Sequence, residues 1–287
     1  MDLLKNNYKI KGETMFKKLT LAVIAAFCTA AISAETAPAA QSLPKQGYVT
    51  LVSGDYTVTF MPTSFFRISG FAFQGKELFV SRGAASGTTI QPAVAEKLVS
   101  AKITVDDTVP AKVTYAPVKG NKVVLEREAL CGDVRIFSKY TVTPEGLSWS
   151  IKYKLESVNK KPNYFYLYTM AWDNKFSEFV YSKKGVKKSG KLTSSGKWVI
   201  NDDIDYMAIY NPDKKVAAVS CPVTAVPGEM RKNAIWDHKS YHKYFMMHKR
   251  PAWKSVYESP EYVMAFSACA AEPGDWQTQL EKTVKEK

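Results

Sequence analysis

The sequence predicts an all-β protein, folded as a large antiparallel β-sandwich with few short helices. Short runs that alternate apolar and polar residues recur along the chain, and clusters of turn residues separate them. Helical periodicity is confined to two short segments. More than ten short strands within about 240 residues imply two large packed sheets.

The clearest strand pair lies in Val134–Leu155, on either side of a Pro144-Glu145-Gly146 turn. One face of the pair is apolar and the other is polar. The residues of the apolar face are Val134, Ile136, Tyr140, Val142, Leu147, Trp149, Ile151, Tyr153 and Leu155. Strict alternation on both sides of a turn is typical of an antiparallel hairpin with one buried face, and that burial fixes the register.

Similar alternation predicts the remaining strands. They are Tyr56–Met61, Arg67–Phe73, Glu77–Val80, Lys112–Tyr115, Lys122–Glu128, Tyr164–Ala171, Glu178–Ser182, Tyr206–Tyr210, Val216–Cys221, Lys243–His248 and Glu261–Cys269. We expect helices at Pro92–Ser100 and at Asp275–Glu286, where Trp276, Leu280 and Val284 repeat at a spacing of four.

The N-terminal region has the pattern of a secretory signal peptide. Met15 precedes two lysines, an apolar run to Ile32 and a small-residue end at Ala34, which predicts Met15 as the true start and export to the periplasm or medium. The apolar run is too short to span a membrane, and no later segment has transmembrane character. We therefore expect a signal peptide in 1–34, a flexible lead-in in 35–46 and a single β-sandwich domain in 47–287.

The net charge of +13 favours a polyanionic partner: nucleic acid, anionic lipid or acidic polysaccharide. Export makes nucleic acid the least expected of these. The alternative is that the lysines only solvate the surface, and the lysine pairs on either side of Gly185 are typical of a solvated loop.

Three cysteines follow the predicted signal peptide: Cys131, Cys221 and Cys269. Cys221 and Cys269 lie in apolar, strand-like runs and are candidates for a disulfide if those strands are neighbours. Equally, all three could be small buried apolar side chains.

Two segments resemble galactose mutarotase-like domains of the β-supersandwich group. The first, SGDYTVTFMPTSFFRISGFAFQGKELF at 53–79, resembles the opening strands of these domains, and KWVINDDIDYMAIYNPDKKVAAVSCP at 197–222 resembles a later hairpin unit. The resemblance implies that Arg67 lines a ligand cleft, which Phe65-Phe66 would narrow. No histidine precedes His238 and Glu261 lacks the flanking residues of the family's base, which counts against the sugar 1-epimerase activity of that family. Polysaccharide lyases and non-catalytic sugar-binding proteins of the same group remain open.

All three histidines lie in the run WDHKSYHKYFMMHKRPAW, residues 236–253. His238 and His242 could chelate a metal if the run were helical, with Asp237 as a further ligand, but the sequence favours strand and loop. We therefore predict no metal and no cofactor. The aromatic and basic residues fit a sugar ligand better, because rings stack on sugars while cations pair with carboxylate or sulfate.

The leading prediction is an exported carbohydrate-binding protein, with an acidic polysaccharide or oligosaccharide as one candidate ligand. It includes no nucleic-acid partner and leaves the oligomeric state open. The residues predicted to contact ligand are Arg67, Trp172, Asp173, Trp236, Tyr241, His242, His248, Lys249, Arg250 and Trp253. A lyase or epimerase using His238, His242 or Tyr241 with Arg67 is the second hypothesis. An exported structural or interaction protein without a small ligand is the third.

Overall fold

Apolar residues that alternate with polar ones form three sheets in the computed structural model, which describes residues 41–79, 87–91, 96–157, 164–224, 233–249 and 256–285. The strands are β1 (Val49–Ser53), β2 (Tyr56–Met61), β3 (Arg67–Phe73), β4 (Lys76–Glu77), β5 (Gly87–Gln91), β6 (Glu96–Val105), β7 (Val118–Lys119), β8 (Val123–Cys131), β9 (Val134–Thr143), β10 (Gly146–Leu155), β11 (Tyr164–Asp173), β12 (Glu178–Lys183), β13 (Val186–Lys191), β14 (Lys197–Asp202), β15 (Tyr206–Asn211), β16 (Val216–Pro222), β17 (Asn233–Asp237), β18 (Tyr241–Lys249), β19 (Tyr257–Glu258) and β20 (Tyr262–Ala270). A 3₁₀ turn spans Pro62–Ser64 and the helix α1 spans Trp276–Lys285.

The large sheet has the strand order β13-β12-β15-β16-β20-β10-β9-β8-β6, with β19 beside β10. The first small sheet is β4-β3-β2-β1-β7 and the second is β14-β17-β18-β11-β5. Buried rings join each small sheet to the large one: Phe60 meets Tyr140 at 4.8 Å, and Trp149 meets Tyr168 at 4.9 Å between ring centroids. The predicted all-β architecture with large antiparallel sheets is confirmed.

The β9–β10 hairpin has the register that its alternation predicts. Val142 pairs with Leu147 and Tyr140 with Trp149, and every residue of the predicted apolar face is buried. This face lines one side of the main core. Aromatic and aliphatic side chains of this size gain free energy when they are removed from water and packed against one another.

The predicted C-terminal helix is confirmed as α1. Its Trp276 stacks on Tyr210 at 5.2 Å and donates a hydrogen bond from Nε1 to Glu178 at 3.0 Å. Leu280, one turn later, is fully buried. The helix therefore covers part of the outer face of the large sheet, where a second apolar cluster lies.

Three local predictions are wrong. Pro92–Ser100 is not a helix where it is described, because β6 begins at Glu96 and pairs with β8. The lysine-rich loop around Gly185 is instead the β12–β13 hairpin, whose two turn residues, Lys184 and Gly185, both have positive φ. Lys112–Tyr115 forms no strand beyond a single bridge from Lys112 to Ser42.

The described residues form one compact unit, and the chain joins it before the predicted start at residue 47. The Gln41 side chain accepts a hydrogen bond from the Ile103 backbone at 2.7 Å and donates to the carbonyls of Ile103 and Pro110. Contacts of this kind fix the end of the predicted lead-in against the sandwich.

The suggested Cys221–Cys269 disulfide is also wrong. Their strands, β16 and β20, are neighbours, but Cys221 pairs with Ala265 and Cys269 with Ala217. That offset of four residues separates the two cysteines by about 13 Å along the strands, well beyond disulfide reach. Both are free thiols, as is the buried Cys131.

Candidate functional site

Four rings form a row at one edge of the second small sheet. Trp198 of β14 lies opposite Trp236 of β17, and their ring centroids are 6.0 Å apart with planes at 30°. Trp236 meets His238 edge-on at 4.9 Å, and His238 stacks on Tyr241 at 4.6 Å. We call these four residues the aromatic row.

The local sequence forms this row through one strand pairing and one tight turn. Antiparallel pairing sets the two tryptophans directly across from each other, where side chains on one face interact most strongly. In the β17–β18 turn, the Ser240 backbone donates to Nδ1 of His238 at 3.2 Å, which holds the imidazole close to Tyr241. The spacing of His238 and Tyr241 thus reflects a hairpin turn.

The row is accessible to solvent. Trp198 is 49% exposed, and Trp236, His238 and Tyr241 are half-buried. Nε1 of Trp236 donates to the Gly196 carbonyl at 3.1 Å, so this indole is fixed in position. An oriented set of rings left open to water is suited to stacking on a flat ligand.

Asp237 holds the neighbouring loop in place. Its buried carboxylate accepts hydrogen bonds from the backbone N–H groups of Thr193, Ser194 and Ser195, at 3.0, 3.0 and 2.9 Å, and from the Ser195 hydroxyl. Its own carbonyl accepts the Gly196 N–H at 2.7 Å. Asp237 therefore orients the loop that leads into Trp198 at the start of β14, and both of its carboxylate oxygens accept hydrogen bonds from that loop.

The remaining predicted residues of the 236–253 run are described only in part. Along the backbone of β18, His242 lies opposite Trp172 and Asp237, His248 opposite Phe165, and Lys249 opposite Tyr164. The side chains of these three residues, and the whole of Arg250 and Trp253, lie outside the described residues.

The backbone of this run rules out a helical His238–His242 chelate, because one residue lies in the turn and the other in a strand. Among the residues that the structure describes, no group of three or more His, Cys, Asp or Glu side chains could hold a metal ion. In the same part of the chain, no helix has the length and apolarity that crossing a membrane requires.

Trp172 does not contribute a ligand surface, contrary to the prediction, and Asp173 is partly buried beside two lysines. Trp172 is 1% exposed and packs edge-on against Phe79 at 4.6 Å, as a core residue. Asp173 pairs with Lys214 at 2.9 Å and accepts the Lys175 N–H at 3.0 Å. Partial burial opposes ionisation of this carboxyl, but its contacts with Lys214 and Lys175 outweigh burial and lower its pKa. Alternation along β11 could not separate core rings from exposed rings.

Arg67 lies in a buried charge cluster. Its Nε donates to Glu96 at 2.7 Å and its guanidinium also donates to the Thr88 carbonyl at 2.8 Å. Glu96 pairs with Arg127 as well, and both of these side chains are almost fully buried. Burial lowers the pKa of Arg127 and raises that of the adjacent Cys131 thiol. The cluster joins the large sheet to both small sheets.

Arg67 and the aromatic row do not share a cleft. The row continues from Trp236 on β17 through the β17–β18 turn to Tyr241 at the start of β18. Through Thr88, Arg67 contacts β5 at one edge of this sheet, whereas the row begins on β14 at the other edge. These edges are about 19 Å apart at the usual spacing of strands. The described contacts therefore do not bring Arg67 to His238 or Tyr241, as the lyase and epimerase hypotheses require.

A shallow cavity of about 440 Å³ lies on the outer face of the large sheet, away from α1. Phe137, 37% exposed, lies among charged residues of both signs, including Lys102 and Glu261. Lys139 and Glu126 pair across strands at 3.7 Å. Alternating, mutually paired charges are typical of a solvated sheet face, so we place the candidate site at the aromatic row.

Comparison with known proteins finds no matching protein-family model and no matching curated sequence. Solved structures do match. The α-N-acetylgalactosaminidase NagBb from Bifidobacterium bifidum, in complex with GalNAc, is 9% identical with a TM-score of 0.53, covering 83% of this chain and 39% of that one.

Two further structures score slightly lower. A galactose mutarotase-like protein from Lactobacillus casei is 9% identical with a TM-score of 0.49, covering 78% of this chain and 100% of that one. An α-galactosidase from Lactobacillus brevis is 8% identical with a TM-score of 0.49, covering 86% and 42%. At these identities the likeness is one of fold alone.

Proposed function

We propose that this chain is an exported carbohydrate-binding protein that holds sugar rings against its aromatic row. The observation that carries the proposal is the open Trp198–Trp236 stack, with His238 and Tyr241 continuing it. The apolar C–H face of a pyranose removes such rings from water, while its hydroxyls remain free for hydrogen bonds.

The surroundings of the row favour an acidic sugar. Lys197 and Lys239, both exposed, are sequence neighbours of Trp198 and His238. Ammonium groups pair with carboxylate or sulfate oxygens, and the net charge of +13 attracts such ligands from a distance. Export is supported by the signal-like segment 15–34, and sugar recognition by the NagBb neighbour, whose structure holds GalNAc.

Trp198→Ala tests this proposal. We expect about tenfold weaker binding of any glycan that the protein retains, about 1.4 kcal/mol, because the exposed stacking face is lost. Titration calorimetry against oligosaccharides selected from a glycan array measures the change. Trp198→Phe should keep most of the affinity, since it preserves a flat ring.

Tyr115→Ala is the matched control, because Tyr115 is an exposed ring, 63% accessible, outside the row. It should bind glycans like the original protein. Equal affinities of Trp198→Ala and Tyr115→Ala for a bound glycan would contradict the proposed site. An array on which no glycan binds would contradict the function itself.

A further inference from the structure

A row of lysines lies along the free edge of the large sheet. The β12–β13 hairpin carries Lys184, Lys188 and Lys191, all exposed. β13 is the last strand of its sheet, so its outer edge has no neighbouring strand among the described residues. We call these three lysines the basic edge.

The lysines of this hairpin divide into two classes. Lys183 pairs with Asp202 at 2.6 Å, and Lys187 pairs with Glu281 of α1. By contrast, the three lysines of the basic edge make no ion pair with any residue that the structure describes. The paired lysines fasten the hairpin to its surroundings, whereas the basic edge leaves its charge available to a ligand.

The basic edge lies on the same side of the sandwich as the aromatic row. β13 leads through the loop at 192–196 directly into β14, the edge strand that carries Trp198. The Lys183–Asp202 ion pair joins the far ends of β12 and β14, and Asp237 anchors the loop between. The two edge strands therefore form one side wall of the molecule.

Register decides where a ligand could lie. Lys188 pairs with Tyr181 and Lys191 with Glu178, an odd offset that puts these lysines on opposite faces of β13. Both side chains are long enough to reach the free edge between the faces, and Lys184 extends from the turn. A linear ligand along that edge could contact all three.

We infer that the basic edge binds the carboxylate or sulfate groups of an acidic glycan chain whose sugar rings stack on the aromatic row. This rests on the proposed function and adds a second contact region to it. Lysines on edge strands also discourage edge-to-edge pairing, so the test must separate a ligand site from that protective role.

The test variant is Lys184→Gln/Lys188→Gln/Lys191→Gln in the full chain. We expect about tenfold weaker binding of polygalacturonate or heparin, the two acidic probes, and a flatter dependence of affinity on salt, since three screened charge contacts are lost. Binding of an uncharged glycan that stacks on the row should be unchanged.

Lys97→Gln/Lys112→Gln/Lys119→Gln is the matched control: it removes the same charge from exposed lysines of other elements that make no described ion pair. Equal losses in both triple variants would overturn the inference in favour of net charge. If the test variant binds acidic glycans normally while Trp198→Ala does not, the inference fails and the proposed function stands. If the test variant binds acidic glycans normally but loses binding to phosphatidylserine vesicles, the basic edge binds a lipid surface and the inference is overturned.

Discussion

Asp237 is the residue on which the geometry of the candidate site depends. Its 1%-exposed carboxylate is the acceptor for three backbone N–H groups and one hydroxyl of a single loop. We expect Asp237→Ala to lower the free energy of unfolding by about 2–4 kcal/mol, because buried donors lose their acceptor. Urea denaturation followed by tryptophan fluorescence measures the loss.

Ser195→Ala is the control for this prediction, since it removes only the hydroxyl among these donors. We expect it to cost about 1 kcal/mol. If Asp237→Ala unfolds at the same urea concentration as Ser195→Ala, the carboxylate does not anchor the loop as its geometry indicates.

Individual site residues were predictable where the sequence brings them together. Trp236, His238 and Tyr241 lie within six positions, and they do form one cluster. Trp198 was missed because it reaches the row only by strand pairing across 38 positions. In the same way, nothing local to Arg67 indicates that Glu96 will neutralise it. Such partners depend on the order of strands in a sheet, which local alternation does not encode.

At the level of elements, α1 is stabilised by what it covers. Trp276 fills the space above Tyr210 and is 2% exposed. We expect Trp276→Ala to cost about 3–5 kcal/mol, because it leaves a large cavity under a ten-residue helix. Such a short helix has little stability without its packing.

Native-state hydrogen exchange and urea denaturation together measure this effect. Amides of α1 should lose protection first, before those of β9 and β10. Thr278→Ala, an exposed change on the same helix, should alter neither quantity. Unchanged protection of α1 in Trp276→Ala would show that other contacts hold the helix.

Strands were predictable in proportion to their alternation. β2 and β3 have the predicted bounds, and the β9–β10 hairpin has the predicted register. In contrast, β13 has the sequence VKKSGK, which contains no apolar alternation. It forms because β12 presents backbone N–H and C=O groups that pair with every residue of β13. A strand of this kind is set by its neighbour and cannot be read from its own residues.

For the whole molecule, titration of buried tyrosines sets the alkaline limit of stability. Burial raises the pKa of Tyr140, Tyr153 and Tyr262, three side chains of the main core. Above about pH 10, the unfolded chain releases these phenolic protons while the folded chain keeps them. Stability is therefore full below pH 10 and falls as the pH rises further, by about 1.4 kcal/mol per pH unit for each such group.

Urea denaturation at a series of alkaline pH values measures this slope, and Tyr153→Phe tests its origin. The variant removes one buried titrating group, so its slope above about pH 10 should be shallower by about 1.4 kcal/mol per pH unit. Tyr115→Phe, at an exposed position, should keep the original slope. A phenol contributes to the slope only if it stays protonated in the folded state while it is deprotonated in the unfolded state. Equal slopes for the two variants would therefore mean that the core opens to solvent before Tyr153 titrates.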